Sequence, residues 1–300
     1  MADTDNRVGL LYALAGFSIL SVGDAVIKSM AGEWSPIAVA TLRFAFAAIG
    51  LSAILMVREG AAGFRPKRPW LQIARGFCLS MATIGFFSAI FVMPLAEATA
   101  LVFVAPIITA ILSGPILKEQ VRPATWFASV IAFCGVILIL RPNFAELGFV
   151  ALLPLGSAFF MSFLMLANRA SARDGSPVSM QMFMAGVAAP ILLVAAVWGH
   201  FSGVDSLQIG VPDWTIVLRC GFVAITATTA HWLVYLGTTK SGAAIIAPMT
   251  YVQLLVAVTL GWFWFGDSPD LGTLAGASII IGAGLLLWWS GRPSKTPDKD

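Results

Sequence analysis

The sequence predicts an all-α integral membrane protein: ten transmembrane helices as two inverted five-helix repeats. Three observations carry this expectation. Hydrophobic residues make up 59% of the 300 and charged residues 11%, against roughly 45–50% and 25% in soluble domains. Ten apolar runs follow one another, each near the length a bilayer requires. Landmarks in residues 1–143 recur in the same order in residues 144–291.

A spanning helix needs about 20 mainly apolar residues. The first run, 8–28, follows Met1–Arg7, a segment with two Asp and one Arg. No small-residue cleavage pattern comes after it, so an uncleaved span is expected rather than a signal peptide. Gly32 to Pro36 makes a turn that opens the second run, 36–57. Arg65-Pro66-Lys67-Arg68-Pro69 precedes the third, 70–93, and Pro94 alone separates it from the fourth, 95–116. Arg122-Pro123 opens the fifth, 123–140, and Arg141-Pro142-Asn143 closes it. The sixth, 147–168, is followed by Gly175-Ser176-Pro177 and the seventh, 177–198. A loop over 199–213 leads to the eighth, 214–237. The ninth, 242–265, ends at Gly266-Asp267-Ser268-Pro269, and the tenth, 271–290, precedes a cytoplasmic tail, 292–300. Glycine and proline clusters of this kind punctuate helices.

The basic residues give the direction of these runs. With the N-terminus inside, the inner segments hold Arg7, Arg58, Arg65, Lys67, Arg68, Lys118, Arg122, Arg169, Arg173, Lys240, Arg292, Lys295 and Lys299. The outer segments hold Lys28 and Arg141. Cytoplasmic loops carry the excess of Lys and Arg, so both termini are expected in the cytoplasm of a bacterial-type inner (plasma) membrane. A net charge of +3 with no basic patch argues against nucleic acid. Cys78, Cys134 and Cys220 all lie in apolar runs with no CxxC, which argues for packing thiols rather than a disulfide framework or metal site.

The halves share four landmarks. Arg7-Val8-Gly9 to Ser18 aligns with Glu146-Leu147-Gly148 to Ser157. Ser35-Pro36 aligns with Ser176-Pro177, Trp70 and Arg75 with Trp214 and Arg219, and Glu119 to Thr125 with Asp267 to Thr273. Five spans is an odd number, so the second half enters from the opposite face. Inverted repeats of this kind build many secondary transporters, with the substrate site near the midplane between the halves.

The motifs themselves resemble the drug/metabolite transporter superfamily, EamA type. Leu42-Arg43-Phe44 is similar to the family's Arg-Phe pair early in span two. Ala96-Glu97-Ala98-Thr99-Ala100, ending at Ala105-Pro106, is similar to its fourth-helix pattern. Leu117-Lys118-Glu119 followed by Gly135-Val136 resembles its closing unit, which returns as Phe265-Gly266-Asp267 with Gly276, Gly282 and Gly284. Asp267 stands where the family commonly has Glu, and Pro248 is six residues further from its acid than Pro106 is from Glu119. The resemblance covers residues 8–290 and implies two EamA-like five-helix repeats that carry small metabolites. It also implies a central cavity lined by helices one, three, four, six, eight and nine, with five and ten as scaffold.

Polar groups in spans identify the candidates for transport. Charge at a helix centre costs about 2.5–3.5 kcal/mol on insertion scales, so each needs a reason. Asp24, Arg43 and Glu97 are placed by register in the outer half, where one cation can meet two carboxylates as a gate or as a structural ion group. Arg75 and Arg219 lie near span ends, where snorkelling to the interface is expected. Glu119, beside Lys118 and Arg122, reads as a solvated helix-end cluster. Ser18, Thr83, Phe86, Phe103, Ser157, His231, Trp232, Tyr251 and Gln253 are the candidates for the substrate cavity. Aromatic faces and a primary amide suit an amphipathic ligand. His231 is either a proton acceptor or a neutral ring bonded to a backbone carbonyl. Pro106 and Pro248 are candidate hinges, and Pro154 and Pro190 also fall inside apolar runs.

No HExxH, GxSxG or Walker sequence is present, and loops are too short for a catalytic or ATP-binding module. The expected function is a secondary transporter using alternating access, with no catalytic residues, metal or cofactor. Export of an amino-acid-like, aromatic or other amphipathic metabolite leads. Uptake by the same architecture is the alternative, ahead of an intramembrane enzyme or a non-transporting subunit. The expected partners are the substrate and membrane lipids, with the chain a monomer or homodimer.

Overall fold

A computed structural model describes residues 2–117, 123–171, 174–241 and 247–290. The Glu119 cluster and the tail 292–300 lie outside the described residues. Eleven α-helices follow in order among the described residues: α1 (Ala2–Lys28), α2 (Pro36–Glu59), α3 (Pro69–Ile90), α4 (Leu95–Val102), α5 (Ala105–Leu117), α6 (Pro123–Leu147), α7 (Leu153–Ala170), α8 (Pro177–His200), α9 (Trp214–Ser241), α10 (Val252–Leu260) and α11 (Leu271–Ser290).

The helix starts follow from local chemistry. Ser35 is extended (φ −62°, ψ 133°) and hands the chain to Pro36 at the first turn of α2. Proline preorganises that turn and needs no amide partner there. Ser176 does the same before Pro177, and its Oγ accepts the Ser179 amide at 3.1 Å. Asp270 caps α11 by accepting the Thr273 amide at 2.6 Å. The Thr273 hydroxyl and amide hold the Asp270 carboxyl below its ordinary value. A lowered folded value means the cap contributes fully above pH 3.8 and fades as pH falls through the folded value. Asp270→Ala is expected to cost about 1 kcal/mol, read as a lower Tm at pH 7, with the gap to wild type closing in strong acid.

Among the described residues, six segments are long and apolar enough to cross a membrane: Val8–Lys28, Pro36–Phe64, Pro69–Ile90, Gly148–Asn168, Pro177–His200 and Trp214–Gly237. Their outward faces are apolar too. Leu218, Phe222 and Ile225 are exposed along α9, as are Val130, Phe133 and Ile137 along α6. A helix that is hydrophobic all round belongs in lipid or a large core, so the chain is an all-α, multi-pass membrane bundle. At the positions of expected spans four, five, nine and ten stand shorter apolar helices, Leu95–Thr109, Val130–Ile139, Met249–Phe265 and Leu271–Ala283.

Two of the shorter ones have a visible cause. The expected fourth span is two helices, α4 and α5, parted at Phe103–Val104 just before Pro106. Proline has no N–H to give the carbonyl four residues back and its ring crowds that carbonyl, here that of Val102, the last residue of α4. The described part of the expected ninth span opens on a 3-10 turn, Ala247–Tyr251, holding Pro248, and ends in a π turn, Gly261–Phe265. Pro154 lies in the first turn of α7, where it breaks nothing, and Pro190 sits within an unbroken α8.

Helix packing repeats between the halves. α1 lies along α9, as α7 lies along α3; α2 packs on α8 and α6 on α11; α2 touches α9, as α8 touches α3. Glycines permit the closest crossings. A Cβ on Gly16 would stand 2.8 Å from the Ala230 carbonyl, and one on Gly85 2.8 Å from that of Leu153. The densest core lies at one end, around the last turns of α1 and α3 and the first turns of α2 and α4. Ile27, Met30, Val39, Ile90, Leu95 and Leu101 are fully buried there.

Candidate functional site

Between the paired helices lies a cavity of about 510 Å³. Such volumes suit small organic ligands, whose sites run to about 300–1,000 Å³. Its walls come from α1, α2, α3, α4, α7, α8, α9 and α10. α2 and α8 therefore join the helices implied by the resemblance, supplying Arg43, Phe44, Ala47 and Leu51 from one and Val178, Gln181, Met184 and Ala185 from the other. Among the described residues, α5, α6 and α11 supply none to the lining.

Of the residues singled out in the sequence, Thr83, Phe86, Phe103, Ser157, His231, Trp232 and Gln253 line this cavity, and so do Asp24 and Arg43. Ser18 and Tyr251 do not. Tyr251 stands behind the wall, edge-on to Phe103 at 5.5 Å between ring centroids. Ser157 reaches the lining but its hydroxyl donates to the Ala82 carbonyl at 2.7 Å, fastening α7 to α3 where Gly85 lets them cross. His231 Nδ1 donates to the Ala227 carbonyl at 2.6 Å. That bond leaves Nε2 as the acceptor nitrogen of the neutral ring.

The expected grouping of Asp24, Arg43 and Glu97 is corrected. Glu97 lies in the first turn of α4, outside the lining, and accepts the Thr273 hydroxyl at 3.2 Å. Arg43 instead rests on aromatic rings, its guanidinium carbon 4.6 Å from the Phe44 centroid and 5.6 Å from that of Phe87. Pro106 is likewise outside the lining; the backbone break beside it places Phe103 at the wall, and Gln253 reaches the wall just past the 3-10 turn Ala247–Tyr251.

The snorkelling expected of Arg75 is also corrected. Arg75 is 4% exposed. Its Nε donates to Asn168 Oδ1 at 2.6 Å and its Nη1 to Gln72 Oε1 and the Met180 carbonyl. Three acceptors replace the water that snorkelling would have sought. Arg219 forks onto both carboxylate oxygens of Glu33 and donates to the Ser29 carbonyl at 3.1 Å. A tertiary contact that sequence reasoning missed lies at the same end: Lys28 Nζ donates to Asp267 Oδ2 at 2.5 Å and to the Met93 carbonyl at 3.1 Å. Nothing in the local sequence links residues 239 positions apart. Missed too were the thioethers of Met161, Met180 and Met184 in the wall. The four-residue spacing of Met180 and Met184 in α8 looks the same on a lipid face.

The cavity is lopsided. Toward the last turns of α1 and α3 and the first turn of α4, it is capped by the buried core, Lys28–Asp267 and Arg219–Glu33, with Trp34 Nε1 donating to the Gly210 carbonyl of the covering loop. At the other end the lining runs out to Arg75, Asn168, Gly175 and Pro177.

Comparison with known proteins places this arrangement. The model of the EamA-like transporter family matches the chain twice, over residues 7–141 and 148–289. An S-adenosylmethionine uptake transporter of Rickettsia prowazekii is 26% identical over 95% of this chain and 94% of its own. A riboflavin transporter of Rhizobium johnstonii is 25% identical over 93% and 90%, and a pseudopaline exporter of Pseudomonas aeruginosa 26% over 94% and 96%. A crystal structure superposes with a TM-score of 0.62 over 97% of this chain and 99% of that one, at 19% identity, which speaks to the fold alone. With both halves matched by one family's model, the chain belongs to the EamA-like transporter family: it is a transporter of small molecules, not an enzyme.

Proposed function

We propose that the protein is a secondary transporter that moves small amphipathic metabolites across the bacterial inner membrane by alternating access, with export as its working direction. Ten spans in two inverted five-helix repeats, residues 1–143 and 144–291, with residues 292–300 as a cytoplasmic tail, form its frame. Three features support the frame: the double family match, the exchange of helix pairs between halves, and ten apolar segments in order. Five and five spans put the halves in opposite orientations, as in other inverted-repeat carriers.

The observation that carries the reading of a cytoplasm-facing cargo site is the lopsided cavity. Its open end is bordered by the start of α3, the end of α7 and the start of α8. The distribution of Lys and Arg in the sequence assigns these turns to the cytoplasm. A cavity open to the cytoplasm is the state in which an exporter collects its cargo and in which an importer releases it. Internal repetition supports the same account. Arg75 and Arg219 occupy matching positions, as do Glu33 and Asp174. Arg219 is paired with Glu33 at the sealed end, while at the open end Asp174 is held by Arg68 and Arg75 borders the cavity.

Uptake is the second reading, favoured by relatives whose names state uptake. Asp24 and Arg43 belong to the cargo site in either direction, with Thr83, Phe86, Phe103, His231, Trp232 and Gln253 around it. Counterflow in proteoliposomes tests the reading. Preloaded unlabelled metabolite is expected to drive accumulation of labelled metabolite, saturably and without ATP. A purified protein that binds ligands but never exchanges them would overturn it.

A further inference from the structure

Resting on the transport reading, we propose that Arg43 and Asp24 form a two-point clamp for a zwitterionic α-amino acid with a large apolar side chain. Arg43 takes the carboxylate and Asp24 takes the ammonium.

The argument starts from unused bonding capacity. Both residues line the cavity. Neither makes a hydrogen bond, or an ion pair within 4.0 Å, to any described residue. The neighbouring ionic groups are already committed: Arg75 to Asn168 and Gln72, Arg219 to Glu33, Lys28 to Asp267. Ionisable groups inside membrane proteins pair with one another or serve the transported species. Arg43 and Asp24 share the wall of one cavity, yet no ion pair within 4.0 Å joins them.

The chemistry of each group specifies its guest. Phe44 and Phe87 touch the guanidinium through cation–π contact, which engages the cation without consuming its N–H donors. Those donors form a fork that matches a carboxylate two bonds at a time. An ionised Asp24 only accepts, as an ammonium requires. A bare anion would satisfy Arg43 and strand Asp24; a bare cation would do the reverse. A zwitterion serves both and brings no net charge into the membrane interior. Phe86, Phe103 and Trp232, with Met161, Met180 and Met184, leave room for an aromatic or thioether side chain beyond the clamp.

The test uses three probes on the purified full-length protein: L-tryptophan, tryptamine without the carboxylate, and indole-3-propionate without the ammonium. Wild type is expected to bind tryptophan about tenfold or more tightly than either analogue. Arg43→Met is expected to erase the preference over tryptamine and keep that over indole-3-propionate. Asp24→Asn is expected to do the opposite. Each ratio is taken within one variant, so a partly unfolded fraction cancels. An analogue that binds wild type as tightly as tryptophan overturns the clamp. So do variants that lose both preferences alike, or absence of saturable tryptophan binding. Counterflow separates the two readings: exchange of other metabolites without these preferences overturns the clamp alone, whereas clamped binding without exchange overturns transport alone.

Discussion

Gly85→Leu is expected to leave almost no folded protein, while Gly156→Leu, on the neighbouring helix, is expected to fold normally. A Cβ at residue 85 would stand 2.8 Å from the Leu153 carbonyl and 3.2 Å from the Ser157 amide. Both are backbone atoms of α7, so no rotamer change relieves the clash, and α3 must move away from α7 as a body. Separation also breaks the bond from Ser157 to the Ala82 carbonyl. Overpacking a core costs about 1–3 kcal/mol even when side chains can adjust, against total stabilities of about 5–15 kcal/mol. Small residues are what let membrane helices approach closely enough to gain from packing. A Cβ on Gly156 meets nothing within 4 Å, so the same substitution there adds only surface toward open space. Yield and Tm in detergent, measured side by side, check the pair. Equal loss in both would mean that leucine in the α3–α7 pair, rather than this crossing, is the fault.

Removing the Lys28–Asp267 bridge is expected to open the sealed end. Lys28 and Asp267 are 12% and 28% exposed, so each leaves a poorly solvated charge when its partner goes. Breaking a fully buried pair costs about 3–5 kcal/mol, and a partly exposed one less. Moving a two-state equilibrium from 1:99 to 99:1 takes about 5.5 kcal/mol. One substitution therefore shifts the population strongly without completing the inversion. Arg219–Glu33, more exposed, remains as a second fastening. The readout is a cysteine at Ser21, which is 1% exposed and donates to the Gln253 carbonyl below the bridge. In a background without Cys78, Cys134 and Cys220, a membrane-impermeant maleimide added outside is expected to label Ser21→Cys slowly. Adding Lys28→Met or Asp267→Asn is expected to raise the rate about tenfold or more. The double exchange Lys28→Asp with Asp267→Lys is expected to restore slow labelling. Unchanged labelling in the single variants would show that the bridge does not hold the seal.

Helices were legible in this sequence because two signals are local. Length and apolarity mark a span, and Ser-Pro, Asp270 and glycine clusters mark where helices begin and end. The break at Pro94 was real despite its lack of a loop: α3 stops at Ile90 and α4 starts at Leu95. The repeat was legible as well, through residues such as Trp70 and Trp214 that recur at matching places. Part of the cavity could be read, since polar or aromatic groups at depth, such as Gln253 and His231, need a reason to be there.

What the chain determined by itself is therefore its class, its family and the identity of the costly groups in its spans. Membrane insertion selects on composition segment by segment, and that selection is written along the sequence. Only the tertiary structure decided which of those groups meet. Glu97 and Arg43 lie in register by depth, but α4 turns Glu97 toward Thr273 of α11, and Phe44 and Phe87 take the cation instead. Arg75 found Asn168 and Gln72 rather than the interface. Depth is set by counting residues along one helix, whereas partnership depends on the rotation and crossing of two. Those are set by side chains on both, and by glycines whose effect appears only when a second backbone arrives.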